Sequence, residues 1–264
     1  MNTYFTKFIS FFFFVSFFVS CNKKDTDPLP PEPTPPDEKP LPAWDHSKTA
    51  VVYFISTLKD TQLGVNEGDY EAIAAAVKDT AAYAVALLDR CDVNTSSNLN
   101  GLSIAAANTG LLPLFALNKY SGNVAEGTGI LIKNTILKQD DYPITDGCRI
   151  KTLNTFVNAS TPFPVATVRM VNDTDVADAN GTLAKVINDN NVVIGTITTA
   201  QFDKLKQKVQ TIRNTYRIEK VSQNTDGYTI FYLSPRYWVL REVLSANVNS
   251  QVQSFRMSIE ANVF

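Results

Sequence analysis

Histidine is almost missing from this chain of 264 residues, which contains only one, His46. Histidine changes charge near neutral pH, so enzymes use it more often than any other side chain as a general acid or base. His46 precedes the first predicted strand, and a Ser-His-Asp triad would need a second, better-placed histidine. No zinc-type spacing of cysteine and histidine is present either. The sequence therefore excludes chemistry that requires two positioned histidines.

An excess of positive charge is also missing. The chain has 24 Lys and Arg residues against 26 Asp and Glu residues, which gives a formal net charge of -2 and a pI near 5.5. Proteins that bind nucleic acid use a basic surface to neutralise phosphates. The charge balance therefore argues against nucleic acid as a partner.

The amino terminus has the layout of an export signal. Lys7 precedes a mainly apolar run from Phe8 to Val19, which ends on Ser20 and Cys21. About a dozen apolar residues are too few for a permanent membrane span, which needs roughly twenty. Residues 1–20 resemble a bacterial lipoprotein signal peptide followed by a lipidated Cys21, although Phe18 departs from the usual aliphatic residue. A plain signal peptide with a chance cysteine is the alternative.

Residues 21–47 are predicted to form a proline-rich spacer, because eight of the thirteen prolines lie between Pro28 and Pro42. Proline at this density favours an extended chain without a packed core. Residues 48–264 then have the length of one domain. The layout predicts a protein of the cell envelope, held at the outer membrane by its lipid, with the periplasmic or surface face left open.

Two cysteines remain besides Cys21. Cys91 and Cys148 form an even pair in a chain that is predicted to be exported, so a disulfide between them is one interpretation. Two separate buried thiols are the other, since spacing cannot show that the side chains meet.

Helical and strand-like patterns alternate along residues 48–264. Tyr70, Ile73 and Val77 share one stripe of a predicted helix, and Phe202, Leu205, Val209 and Ile212 share one face of another. Thr198 and Gln201 have the spacing of a capping box ahead of that second helix. Short β-branched or aliphatic runs, such as "VVIGTI" at 192–197, predict strands. The mixture indicates sheets covered by helices.

The order of several segments resembles the endonuclease/exonuclease/phosphatase family. The strings are "GDYEAIAAAVKDTAAYAVALLDRCDVNTS", "GTGILIKNTIL", "CRIKTL", "FPVATVRM", "VVIGTITTAQF" and "YTIFYLSPRYWVL". The resemblance implies an α/β (α+β) fold of the deoxyribonuclease type, a four-layer sandwich of two mixed β-sheets flanked by helices. It also implies a phosphoesterase that uses a divalent metal, a phosphate-stabilising histidine and an Asp-His pair.

This chain departs from the family pattern at each catalytic position. Arg90 falls at the place of the metal-binding glutamate, with Asp89 one residue before it, and Arg169 replaces the histidine. The aspartate and asparagine of "GDFN" become Thr196 and Thr198, and the terminal dyad becomes Gln251 and Val252. The family's first-strand asparagine falls near Ile55 or Ser56. We therefore expect no catalytic residues, no metal and no cofactor.

One acidic stretch needs separate treatment. Asp173, Asp175, Asp178 and Asn180 cluster in "VNDTDVADANG", but their spacing is not that of an EF-hand loop. Carboxylates at the start of the predicted helix "GTLAKVIND" would also stabilise its dipole, and we favour that interpretation.

Three functions follow from these patterns. The first is a lipid-anchored, non-catalytic protein whose cleft binds a small anion through Arg90 and Arg169, unless each arginine pairs with a carboxylate such as Asp89. The second is an interaction or structural subunit of an envelope complex that binds protein or glycan, with Tyr237 and Trp238 as candidates unless they pack in the core. The third is a metal-dependent phosphoesterase with a rearranged site.

Overall fold

The computed structural model describes the following residues: 43–57, 67–77, 85–94, 96, 99–133, 135–158, 160–223, 227–250 and 252–262. The predicted signal peptide, Cys21, most of the spacer and Gln251 lie outside them. Among the helices of the described residues, none is long and apolar enough to cross a membrane.

Thirteen β-strands occur in the described residues. They are β1 (Thr49–Thr57), β2 (Val85–Asn94), β3 (Leu99–Asn100), β4 (Leu112–Ser121), β5 (Val124–Ile132), β6 (Lys138–Thr145), β7 (Cys148–Phe156), β8 (Pro162–Met170), β9 (Val192–Thr198), β10 (Tyr216–Gln223), β11 (Tyr228–Pro235), β12 (Trp238–Asn247) and β13 (Val252–Ala261). Five α-helices accompany them: α1 (Glu67–Val77), α2 (Gly101–Thr109), α3 (Asp173–Asp178), α4 (Asn180–Asn188) and α5 (Phe202–Ile212).

The strands form two mixed sheets. Sheet A has the order β12-β13-β1-β2-β5-β4, with the short β3 paired to β2, and sheet B has the order β10-β11-β9-β8-β7-β6. Each sheet contains one parallel pair, β1 with β2 and β8 with β9, among antiparallel neighbours. The carboxyl ends of these four strands carry the candidate site.

Three apolar clusters separate four layers. The cluster between the sheets includes Phe54 and Leu87 of sheet A with Val165 and Ile194 of sheet B. A second cluster joins the outer face of sheet A to α1 and α2, and a third joins the outer face of sheet B to α3, α4 and α5. This arrangement confirms the predicted α/β (α+β) four-layer sandwich of two mixed β-sheets flanked by helices.

The predicted helical stripes are confirmed by their burial. Tyr70, Ile73 and Val77 of α1 are all buried beneath sheet A, and Phe202, Leu205 and Val209 of α5 are buried beneath sheet B. The capping box predicted at Thr198 and Gln201 is wrong, because Thr198 makes no side-chain cap bond. Gln201 instead donates a hydrogen bond to Asp173, 28 residues earlier in the chain (2.8 Å).

Residues 43–47 pack on the domain, although the sequence assigned them to the spacer. The compact unit of the chain begins at Ala43. The backbone N–H of Asp45 donates to Glu260 (2.6 Å), and the Asn158 amide donates to the carbonyl of Ser47 (3.2 Å). The residues before β1 are therefore bonded both to β13, through Glu260, and to the segment after β7, through Asn158.

Candidate functional site

Asp89 lies at the centre of a buried polar group between the two sheets. Its side chain is completely buried, and Oδ2 accepts hydrogen bonds from Ser56 of β1 (3.0 Å), Thr196 of β9 (2.7 Å) and Arg169 of β8 (3.1 Å). These donors come from the carboxyl halves of three strands, which brings both sheets to one carboxylate. A buried carboxylate requires such partners, since burial without them is costly.

Arg169 is held by this carboxylate and by an aromatic ring. Its side chain is 4% exposed, and its guanidinium carbon lies 5.4 Å from the ring centroid of Tyr228. The ion pair to Asp89 is buried on both sides, so water screens it little. Arg169 therefore pairs with Asp89, which is the alternative that the sequence left open for it.

A β-bulge in β2 places two residues at this point of the strand. Leu88 lies opposite Gly129 and Cys91 lies opposite Gly127, so Asp89 and Arg90 together face one partner position on β5. A bulge breaks the strict alternation of a strand, and sequence periodicity does not reveal it. The side chain of β2 that bonds to β8 and β9 is Asp89.

Arg90 belongs to a neighbouring ionic cluster on sheet A. Its Nε lies 3.3 Å from Oδ1 of Asp92, and its Nη2 lies 3.3 Å from Oε2 of Glu126. Lys119 approaches the other oxygen of Glu126 at 3.7 Å. Arg90 is 7% exposed, so the cluster is largely shielded from water. Sequence reasoning missed both carboxylates. Asp92 lies two residues after Arg90 in β2, on the same face of the strand, whereas Glu126 becomes a neighbour through the pairing of β2 with β5.

Formal charges within these two ionic clusters cancel. The carboxylates of Asp89, Asp92 and Glu126 face the cations of Arg90, Arg169 and Lys119. The sequence placed two fixed positive charges in a cleft, whereas in the structure each arginine is paired with carboxylates. The charge of each guanidinium is thus compensated by carboxylates of this chain.

The divalent metal implied by the family resemblance does not fit this centre. Asp89 Oδ2 already accepts three hydrogen bonds, one of them from a guanidinium 3.1 Å away. A fixed positive charge at that distance opposes the binding of a cation. Within the described part of the chain, no group of three or more His, Cys, Asp or Glu side chains is arranged to hold a metal ion.

Gly195 and Thr196 lie within β9, at the positions where the family pattern begins "GDFN". A Cβ on Gly195 would lie 2.5 Å from the carbonyl oxygen of Val168 and 2.9 Å from the ring of Phe231. Only glycine fits this close approach of β8 and β9. Thr196, where the family pattern has aspartate, donates its hydroxyl to Asp89.

The acidic stretch after β8 has a structural role. Asp175 is buried, and its Oδ2 accepts from the backbone N–H groups of Val171 and Asn172 (both 3.0 Å). Its Oδ1 accepts from the Thr145 hydroxyl at 2.9 Å. The bond from the Asn172 N–H to Asp175 and the bond from the Asp175 N–H to the Asn172 side chain form a capping box at the start of α3. The sequence placed these acidic residues at the start of the helix "GTLAKVIND", whereas they belong to the separate short helix α3, and α4 has no acidic residue in its first turn.

Cys91 and Cys148 are both free thiols. Cys91 lies in the apolar cluster between sheet A and its helices, whereas Cys148 lies in the cluster between sheet B and its helices. The two side chains lie on opposite outer faces of the sandwich, so they do not form a disulfide. The structure agrees with the other interpretation, two separate buried thiols. Burial raises the pKa of both thiols well above the usual value near 9.0.

Trp238 packs in the core, and Tyr237 does not. The indole of Trp238 is buried and meets the ring of Phe163 edge-on, with ring centroids 4.8 Å apart. Tyr237 is partly exposed. The core-packing interpretation of this pair is confirmed for Trp238.

The sandwich of two mixed sheets matches the fold of endonuclease/exonuclease/phosphatase proteins. Among solved structures, such a protein from Beutenbergia cavernae superposes with a TM-score of 0.59 at 10% identity, over 81% of this chain and 72% of that one. Another, from Leptotrichia buccalis, has a TM-score of 0.57 at 10% identity, over 80% of this chain and 99% of that one.

A conserved protein of unknown function from Enterococcus faecalis is also similar. Its TM-score is 0.55 at 11% identity, over 80% of this chain and 100% of that one. At these identities the likeness concerns the fold. Neither protein-family models nor the sequences of curated proteins give a match to this chain.

Proposed function

We propose that this chain is an exported, lipid-anchored protein of the cell envelope that keeps a phosphohydrolase-like fold without hydrolytic activity. The observation that supports this proposal most directly is the buried pair of Asp89 and Arg169. In a metal-dependent phosphoesterase a carboxylate at the centre binds the cation. Here the same kind of group is neutralised by a guanidinium.

Electrostatics makes the pair incompatible with metal-assisted hydrolysis. A divalent ion at Asp89 would have to displace Arg169 and leave its charge buried beside the metal. No histidine is available to take a proton or to stabilise a phosphate, since the single histidine of the chain is His46. The hydroxyls of Ser56 and Thr196 donate to Asp89 and supply no base.

The anchoring part of the proposal depends on residues 1–47. The apolar run that ends on Cys21 and the prolines that follow are the layout of an exported protein with a lipid and a spacer. A cleft that binds a small anion through Arg90 and Arg169, and an interaction subunit, remain predictions. The ion pairs make the anion-binding cleft the less favoured of the two.

The decisive experiment is a phosphodiesterase assay of the full chain with bis(p-nitrophenyl) phosphate, together with calorimetric titration of magnesium and manganese. We expect no turnover and no metal binding. Turnover that needs metal and is abolished by Asp89→Asn would overturn the proposal. Asp89 is the carboxylate to which Arg169, Ser56 and Thr196 are bonded. Turnover that Asp89→Asn leaves unchanged would therefore not come from this centre and would indicate a contaminating enzyme.

Titration with inorganic phosphate and sulfate tests the anion-binding prediction in the same preparation. Saturable binding that is lost in both Arg90→Ala and Arg169→Ala would establish an anion site despite the ion pairs. Absence of binding would leave the arginines with a purely structural role.

A further inference from the structure

Exposed apolar side chains gather at the end of the sandwich where β1 begins. We call this the β1 end, and it comprises residues 43–49, 111–113, 133, 135–138 and 236–237. Large apolar side chains are exposed at five described positions, and three of them belong to the β1 end: Leu112 (55%), Leu137 (45%) and Tyr237 (38%). The other two, Tyr120 and Leu244, lie toward the opposite end.

The strand register of sheet A places two of these side chains. Leu112 begins β4, and the register runs from it through the end of β5 and the start of β2 to Val52, in the first half of β1. Tyr237 directly precedes Trp238, which pairs with the last residue of β13, next to the start of β1. The edge strands β4 and β12 are five strand spacings apart, about 24 Å. A partner that meets both side chains is therefore much wider than a small molecule.

Sheet B contributes Leu137 to the same end. The backbone N–H of Leu137 donates to the carbonyl of Asn154, near the end of β7 (2.9 Å). Asn158, which follows β7, donates to the carbonyl of Ser47 just before β1 (3.2 Å). The end of β7 and the start of β1 are therefore neighbours, and Leu137 lies beside them.

Two cations of the β1 end have no carboxylate partner. Lys133 and Arg236 are exposed, and neither forms an ion pair with another described residue. The carboxylates of Asp45 and Asp140 are each paired with a lysine (3.3 and 2.9 Å). Two further charged side chains, one of each sign, lie at the turns before β9 and β10: Asp189 and Arg213. The described residues of this end thus have a small positive balance, which favours an anionic surface.

The chain reaches the β1 end from Cys21. The compact unit begins at Ala43, so 21 residues, 22–42, join it to Cys21. At about 3.1 Å per residue, a proline-rich segment of this length extends to at most roughly 65 Å. A lipid on Cys21 would hold the β1 end within this distance of the bilayer. The effective concentration is then of the order of millimolar, at which weak surface contacts are sufficient.

We propose that the β1 end docks on the surface of an anionic phospholipid bilayer. Leu112, Leu137 and Tyr237 enter the interfacial region, and Lys133 and Arg236 contact the phosphate groups. Tyrosine suits this region because one end of its side chain is apolar and the other is polar. The breadth of the surface excludes a small ligand, and the tether at this end favours a bilayer over another protein. This inference rests on the lipid anchor of the proposed function and adds the surface that meets the membrane.

The test couples the chain without its predicted signal peptide, residues 21–264, through the Cys21 thiol to a maleimide phospholipid. The vesicles contain phosphatidylcholine and phosphatidylglycerol. Cys91 and Cys148 are buried, so they do not react in place of Cys21. Bromine on the acyl chains quenches an indole only at close range, and both tryptophans of the chain, Trp44 and Trp238, lie at the β1 end. We expect lower tryptophan fluorescence in brominated than in unbrominated vesicles, and loss of this difference in phosphatidylcholine alone.

The double variant Leu112→Ser with Leu137→Ser should lose the quenching. Tyr120→Ser with Leu244→Ser is the matched control, because it removes the two exposed apolar side chains toward the opposite end. We expect this control to be quenched as strongly as the unchanged protein. The proposal is overturned if brominated lipid does not quench the unchanged protein, or if the two double variants behave alike. Equal quenching in phosphatidylcholine alone would overturn the requirement for anionic lipid.

Chemical coupling supplies the anchor, so the result does not depend on whether cells attach a lipid to Cys21. Absence of quenching, together with lipidation of Cys21 in cells, would overturn the docking surface alone. Quenching of the coupled protein, together with an unmodified Cys21 in cells, would overturn the anchor of the proposed function alone.

Discussion

The ion pair of Asp89 and Arg169 occupies the polar centre between the two sheets. Both side chains are almost fully buried, and they are joined at 3.1 Å. Removing one member of a buried pair leaves an uncompensated charge, which costs far more than the pair itself contributes. The pair therefore fixes the arrangement of the two sheets as well as excluding a cation.

We predict that Arg169→Met destabilises the protein by about 3–5 kcal/mol, because Asp89 is left buried without its cation. The double variant Asp89→Leu with Arg169→Met should recover part of that loss. Urea unfolding followed by circular dichroism measures both. The control is Lys48→Met, which breaks the exposed pair of Lys48 and Asp45 (3.3 Å) and should leave stability nearly unchanged.

Equal stability of Arg169→Met and the unchanged protein would show that Asp89 is not buried as described.

A second prediction at the residue scale concerns the buried thiols. Burial raises the pKa of Cys91 and Cys148 well above 9.0, so in the unfolded chain the thiols lose their protons first as the pH rises. The folded state then binds more protons, and its stability falls from about pH 9 upward by at most about 1.4 kcal/mol per pH unit for each thiol. Below pH 9 this contribution is fully present.

Urea unfolding between pH 8 and 10 tests this dependence, because this range extends roughly one pH unit to either side of the usual thiol pKa. Cys91→Ala should make the decline with pH shallower than in the unchanged chain. An identical decline in Cys91→Ala and in the unchanged chain would mean that the Cys91 thiol does not contribute.

Elements differ in how well the sequence predicted them. The stripes of α1 and α5 were predicted because an apolar face packed on a sheet leaves a helical period in the sequence. The strands β6 and β12 were missed. Each lies at the edge of its sheet and is rich in polar residues, as in "KQDDYPIT". Such a strand lacks the alternation of apolar and polar residues from which a strand is predicted.

The candidate site was predicted in part for a related reason. Segment order brought Arg169 and Thr196 to the place where the family has its catalytic groups, and Asp89 was considered as a partner for an arginine. Glu126 could not be foreseen, because the register of β2 with β5 across the bulge brings it to Arg90, whereas Asp92 follows Arg90 by two residues and was overlooked. Neither the register nor the bulge leaves a mark in local sequence periodicity.

At the element scale we predict that Gly195→Ala destabilises the protein by about 1–3 kcal/mol, since its Cβ would press on the Val168 carbonyl. Gly181→Ala is the matched control. Gly181 lies in α4 with no neighbour within 4 Å of an added Cβ, so alanine should stabilise that helix by up to about 1 kcal/mol. Thermal unfolding of the two variants compares them directly, and a Gly195→Ala variant at least as stable as the unchanged protein would contradict the close packing of β8 on β9.

The whole molecule combines a sandwich with an amino-terminal segment that leads to Cys21. We predict that Cys21→Ser moves the protein from the membrane fraction to the soluble fraction of the envelope, because acyl chains supply the membrane affinity. Cell fractionation and labelling with a palmitate analogue measure the change. Cys91→Ser is the control, since its thiol is buried and should not alter the location. Membrane association that persists in Cys21→Ser would exclude lipid anchoring at that residue.

The two ends of β1 lie beside different parts of the molecule. Ala43 to Lys48 lie at the amino end of β1, beside Glu260, whereas Ser56 and Asp89 lie near the carboxyl ends of β1 and β2. Nine residues of an extended strand separate the two ends by about 30 Å. If Cys21 carries a lipid, as we propose, the tether joins the domain at the end of β1 that is farther from Ser56 and Asp89.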